Sequence, residues 1–146
     1  MSRRDDASRR ADMRIYRVSP HDALRDWDWY ERQINRVITR ADSGLTTEDV
    51  LTAIQYGRMH VWRSADGKGM GLTELQSFPR YRQLFILMVA GEDMQAWIRE
   101  GSRVFERFAR ENACTRMEFH GRPGWEKIAE ECGFTHKMMR MKKRLD

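Results

Sequence analysis

The chain is poor in cysteine and proline and has no long apolar run. Its two cysteines, Cys114 and Cys132, are too few for a disulfide scaffold, and they lack the partner spacing of a zinc site. Reduced, buried thiols are the expectation for such a pair in an intracellular chain. No run of about 18 apolar residues occurs, so no segment is expected to span a membrane. The N-terminal arginines have no apolar stretch behind them, and a secretory signal is not expected either. The four histidines (His21, His60, His120, His136) form no i, i+4 pair and no HExxH, which speaks against a metal site.

What is present is charge and enough apolar residue for a core. Of the 146 residues, 40% are hydrophobic and 34% charged, the balance of one globular domain with a highly charged surface. The net charge of +5 is spread over the chain, without the single basic stripe of a nucleic-acid binder, so nucleic acid is not an expected partner. Denser positive charge lies at the two ends: Arg3, Arg4, Arg9, Arg10 and Arg14, then Lys137, Arg140, Lys142, Lys143 and Arg144. Residues 1–13 read as a basic arm, either solvated or docked on an acidic partner surface, and residues 14–146 as one domain.

Ile15, Tyr16 and Val18 predict a short strand. Ser19-Pro20-His21-Asp22 predicts a helix start, with Ser19 as cap and Pro20 in the first helical position. Leu24, Trp27, Ile34, Val37, Ile38 and Ala41 continue that helix at helical spacing as far as Asp42-Ser43-Gly44. A second helix starts at Thr46 or Thr47 and stops at Gly57. Met59–Ser64 and Gly71–Phe78, around Asp66-Gly67, predict a β-hairpin. The continuous apolar run Leu84–Val89 reads as a central strand buried on both faces. Met94, Trp97, Ile98, Gly101, Val104, Phe105 and Phe108 form the apolar stripe of the longest helix. Met117 and Phe119 alternate with Arg116 and Glu118 in a further strand. A short helix from Trp125 to Cys132 and a last strand over about Thr135–Arg144 complete the order. The order β-α-α-β-β-β-α-β-α-β predicts an α/β domain: one central mixed sheet with helices on both faces.

That order, together with Glu130-Glu131-Cys132-Gly133-Phe134 running into a basic segment, resembles the GNAT N-acetyltransferase superfamily from about residue 14 onward. The terminal stretch is similar to the family's "YEKxGF", in which the Phe anchors the last strand. Two further stretches, Thr46–Met59 (T-x-E-D-V-L-x-A-I-x-x-G-R-M) and Glu118–Trp125 (E-x-H-G-R-P-G-W), resemble short GNAT-like proteins of tailed bacteriophages and prophages. This second resemblance implies a virion or host-cytoplasmic protein, neither secreted nor membrane-bound, with other virion or tail components as partners and room for oligomer formation.

The family resemblance implies acetyl-CoA binding at the turn between the central strand and the long helix, where the family pattern is R/Q-x-x-G-x-G/A. Here that turn reads Val89-Ala90-Gly91-Glu92-Asp93-Met94, with one glycine and two carboxylates where phosphates would lie. Each like-charge contact at ~4 Å costs about 4 kcal/mol at an effective dielectric near 20, and Asp93 can cap the helix itself. Aligning on Gly133-Phe134 puts Ala129 at the place of the family's proton-donating tyrosine. Glu74, Glu118 and His120 are the candidate general bases, each set against a plain role as a strand surface group. No bound cofactor is therefore expected, and the sequence favours a non-catalytic, protein-binding or structural role. The alternative is a divergent acetyl-CoA-dependent N-acetyltransferase. Arg25, Trp29 and Arg32, off the apolar stripe of the first helix, and Arg3 and Arg4 on the arm are the candidate protein-binding residues.

Overall fold

The computed structural model describes residues 14–41, 43–92, 94–121, 123–135 and 139–145. Arg3, Arg4 and Asp93 lie outside the described residues. The elements are β1 (Ile15–Val18), α1 (Pro20–Arg25), α2 (Trp27–Ala41), α3 (Thr47–Gln55), β2 (Met59–Ser64), β3 (Gly69–Ser77), β4 (Arg82–Gly91), α4 (Met94–Glu111), β5 (Arg116–Phe119) and α5 (Glu126–Glu131). A 3₁₀ turn, Pro123–Trp125, leads into α5.

The strands form one sheet in the order β1-β2-β3-β4-β5. The first four pair antiparallel, and β5 joins β4 in parallel after the crossover through α4. The alternation of side chains along each strand divides the core in two. On the first face Tyr30, Ile34, Val50, Ala53 and Ile54 of α2 and α3 cover Val61, Met70, Leu72, Met88 and Ala90. On the second face Trp97, Phe105 and Ala109 of α4 cover Ile15, Trp62 and Leu84. Trp97 and Phe105 are almost wholly buried, and burial of side chains this large stabilises by roughly 1.5–3 kcal/mol each. Gly69 is what lets Trp97 in, since a Cβ there would lie 2.6 Å from the indole Nε1.

Local chemistry accounts for the helix starts. The Ser19 hydroxyl accepts the Asp22 N–H at 3.1 Å. Thr46 and Asp49 form a reciprocal capping box, with the Thr46 N–H donating to Asp49 at 2.9 Å and the Asp49 N–H to Thr46 Oγ1 at 3.1 Å. That hydrogen bond from the Thr46 backbone holds the Asp49 carboxyl below its ordinary pKa.

Three expectations need correction. The first helix is two helices, broken at Asp26, whose backbone leaves the helical region at φ −119° and ψ 30°. The Asp26 carbonyl restarts the next helix by accepting from Trp29 and Tyr30, and its carboxylate takes Arg63 of β2 at 2.5 Å. The break turns Leu24 out to 41% exposure, off the apolar stripe. Of the last strand expected over 135–144, residues 136–138 lie outside the described residues, and 139–145 is irregular, with Met139 and Met141 78% and 82% exposed. Finally, Cys114 and Cys132 are half-buried rather than buried: Cys114 packs against the second-face core just past the end of α4, and Cys132 closes α5.

Candidate functional site

The turn from β4 into α4 is short. Strand β4 runs through Gly91 and α4 begins at Met94, leaving only Glu92 and Asp93 between them. Gly91 pairs with Gly69 across the β3–β4 ladder. Its φ is +121°, and a Cβ would fall 2.2 Å from the Lys68 carbonyl oxygen. The Glu92 N–H donates to that same carbonyl at 3.2 Å. The glycine thus serves the close approach of the β2–β3 turn, and the next amide is already bonded. Val89 packs into the second-face core, Ala90 is buried in the first, and the Glu92 side chain is exposed. The Glu92 amide is engaged and its anionic side chain is exposed.

The neighbouring strand edge is open. The β3–β4 register shifts so that Leu72 faces Met88 while Thr73 faces Ile86, leaving Leu87 as an extra, bulged residue. Pairing of β4 with β5 ends at Ile86–Phe119. Beyond it the β4 edge over residues 87–91 has no neighbour on that side among the described residues.

Below this edge the three candidate bases come together on one side of the sheet. Glu74, Phe85 and Glu118 form one cross-strand row, and Gln76, Gln83 and Arg116 the next. His120 meets the Phe85 ring edge-on at 5.0 Å. Gln83, only 1% exposed, ties the rows. Its Nε2 donates to Gln76 Oε1 at 2.7 Å and to Glu118 Oε2 at 3.0 Å, and its Oε1 accepts from Arg116 Nε at 3.0 Å. Gln76 donates in turn to Glu74 at 3.3 Å, and Arg116 stacks over Tyr81 at 3.9 Å. Glu118 and Glu74 are therefore acceptors within a polar ladder. His120 is exposed at its end. Sequence reading missed Gln83, Gln76 and Arg116, although the alternation Arg116-Met117-Glu118 already placed two polar residues on one face of β5.

Glu74 also borders a shallow groove of about 220 Å³ with Gly57, Arg58, His60 and Leu75. His60 is itself buried, its Nδ1 3.1 Å from Thr73 Oγ1, which also accepts the Trp62 indole N–H at 2.8 Å. Burial, with the nearby positive charge of Arg17, pushes the His60 pKa below its ordinary value.

The segment resembling "YEKxGF" keeps its anchor and lacks its acid. Phe134 packs edge-on against Phe119 of β5 at 5.0 Å, and its N–H donates to the Ala129 carbonyl at 2.9 Å. Ala129 is half-buried on α5 and has no proton to give. Of the protein-binding candidates, Arg25 and Arg32 are exposed. Trp29 is half-buried against the first-face core, edge-on to Tyr30, with the Arg63 guanidinium 4.0 Å above its ring. Among the described residues no group of His, Cys, Asp or Glu is placed to hold a metal ion, and no helix is long and apolar enough to cross a membrane.

No protein-family model and no curated protein matches the sequence. Solved structures do match in shape. A probable acetyltransferase superposes with a TM-score of 0.66 over 91% of this chain and 97% of its own, at 11% identity. The fold is that of the GNAT acetyltransferases. An aminoglycoside acetyltransferase from an uncultured soil metagenomic sample, in complex with sisomicin, gives 0.66 over 91% and 96% at 10% identity. Glucosamine-6-phosphate N-acetyltransferase from Arabidopsis thaliana gives 0.61 over 91% and 98% at 14% identity. At these identities the GNAT likeness is one of fold, and chemistry must be argued from the site.

Proposed function

We propose that this chain is a GNAT-fold protein that acts by binding another protein rather than by acetyl-CoA-dependent transfer. The observation that carries this reading is the β4–α4 turn, where Lys68 occupies the Glu92 amide and two residues replace a phosphate loop. Ala129 in place of a proton donor points the same way. A protein ligand suits the sheet, where among the described residues backbone groups stand open along 87–91 of β4 and along the outer edge of β5, both able to accept an added strand. A place in a tailed-phage particle rests on the sequence pattern alone.

A second reading, a divergent acetyl-CoA-dependent N-acetyltransferase, is favoured by the neighbouring structures, which are acetyltransferases, and by the open β4 edge. Titration calorimetry with acetyl-CoA and with CoA separates the two. Absence of micromolar binding is expected. Micromolar binding of acetyl-CoA that free CoA displaces would overturn the first reading and establish the second.

A further inference from the structure

His60 is 7% exposed and lies on the second face of the sheet, edge-on to Phe108 of α4 at 5.1 Å. Thr73 is fully buried, and its Oγ1 already accepts the Trp62 indole N–H at 2.8 Å. Among the described residues its hydroxyl proton has one acceptor in reach, His60 Nδ1 at 3.1 Å. We assign that proton to this bond, which leaves the imidazole its own proton on Nε2. The Nε2–H has no partner among the described residues, and the ring borders the groove of Gly57, Arg58, Glu74 and Leu75. A largely buried donor in this position calls for an acceptor that the chain does not provide.

Arg58 brings charge to the same groove. Gly57 closes α3 at φ +75°, and the Arg58 N–H returns to the Ala53 carbonyl at 2.8 Å, the backbone pattern of a Schellman stop. This fixes the chain where Arg58 leaves it. Arg58 is exposed, and no carboxylate lies within ion-pair reach of it among the described residues. Arg17 of β1, over the Phe108 ring at 5.2 Å, adds positive charge near His60. Glu74 borders the groove as well, but its carboxylate accepts from Gln76 at 3.3 Å. It pairs with Met59, whose side chain belongs to the first face, opposite to that of His60. Leu75, of the second-face core, gives the groove an apolar wall.

We propose that this groove binds the oxyanion of a small organic acid, a carboxylate or a phosphate monoester, between the Arg58 guanidinium and the His60 Nε2–H, with the organic part against Leu75. The planar fork of an arginine suits either oxyanion. At about 220 Å³ the groove is smaller than the sites of drug-sized ligands, which matches a small molecule. Gly69, beside the β4–α4 turn, and Leu75, in the groove, stand toward opposite ends of β3. The site is therefore separate from that turn and does not depend on whether the protein transfers acetyl groups.

Nuclear magnetic resonance titration of the full chain with benzoate and with phenyl phosphate tests this, with benzyl alcohol as the uncharged control. The expected result is a saturable shift of the His60 Nε2 resonance and of the Gly57 and Arg58 amides with at least one anion. Binding should weaken roughly tenfold in Arg58→Gln and stay unchanged in Arg36→Gln, which removes an exposed arginine of α2. Tighter binding of phenyl phosphate assigns the natural ligand to the phosphate monoesters, and tighter binding of benzoate assigns it to the carboxylates. The proposal is overturned by the absence of a saturable shift with either anion, or by equal shifts with benzyl alcohol. A folded Arg58→Gln chain that binds as tightly as the wild type overturns it too.

Discussion

Gly91 and Lys68 meet so closely that the strand–helix turn has no room for a side chain: a Cβ on Gly91 would sit 2.2 Å from the Lys68 carbonyl oxygen. That contact ties the β2–β3 turn to the end of β4. Gly91→Ala should therefore destabilise the fold by about 2–3 kcal/mol, through both the positive φ and the clash. Urea unfolding measures this. A variant as stable as the wild type would show the junction to be loose.

Removing Arg63 should be felt at Trp29. The guanidinium stacks on the Trp29 ring at 4.0 Å and bonds Asp26 at the break between α1 and α2. Arg63→Ala is expected to lose roughly 1–2 kcal/mol, and Trp29 emission should shift to longer wavelength as its covered ring face meets water. The pair of a Trp29→Phe chain with and without Arg63 assigns the shift to this tryptophan.

Gln83 is the centre of the polar ladder, and its removal leaves Arg116, Gln76 and Glu118 short of a partner in a half-buried setting. Gln83→Leu is expected to cost about 1–3 kcal/mol. Chemical denaturation checks the loss. A neutral or stabilising result would mean that water replaces the amide at no cost.

The buried histidine gives the fold a pH dependence of known sign. Burial lowers the His60 pKa below its ordinary 6.5, so the unfolded chain binds its proton more readily than the folded one. This contribution to stability is complete above pH 6.5, and it is lost as the pH falls below that value toward the folded pKa. Melting temperature should drop between pH 7.5 and pH 5.5 more steeply in the wild type than in His60→Gln. Parallel curves for the two chains would remove His60 as the cause.

Much of the fold could be read from the residues. Asp66-Gly67 between two β-rich runs announced the hairpin, and the Trp97–Phe105–Phe108 stripe announced α4, because a period in hydrophobicity is a local signal. The break at Asp26 was not legible, since one non-helical residue barely disturbs helical spacing and its anchor, Arg63, lies on a distant strand. The last strand was expected over about Thr135–Arg144, and the described part, 139–145, is irregular. In the site, Glu74, Glu118 and His120 could be named in advance and their gathering could not. It depends on register, which the extra residue at Leu87 resets. Gly91 looked like the remnant of a glycine loop because its real partner, Gly69, is more than twenty residues away.

The parallel pairing of β5 has a consequence for how the domain holds together. Strands β2, β3 and β4 follow one another through short turns, so their contacts close small loops. Strand β5 is tied to β4 by four residue pairs that span the whole of α4 in sequence. Contacts at that separation cost more chain entropy for each one gained. Amide exchange should therefore be slowest in the β2–β4 meander and much faster in β5, which is the seam where this domain opens first.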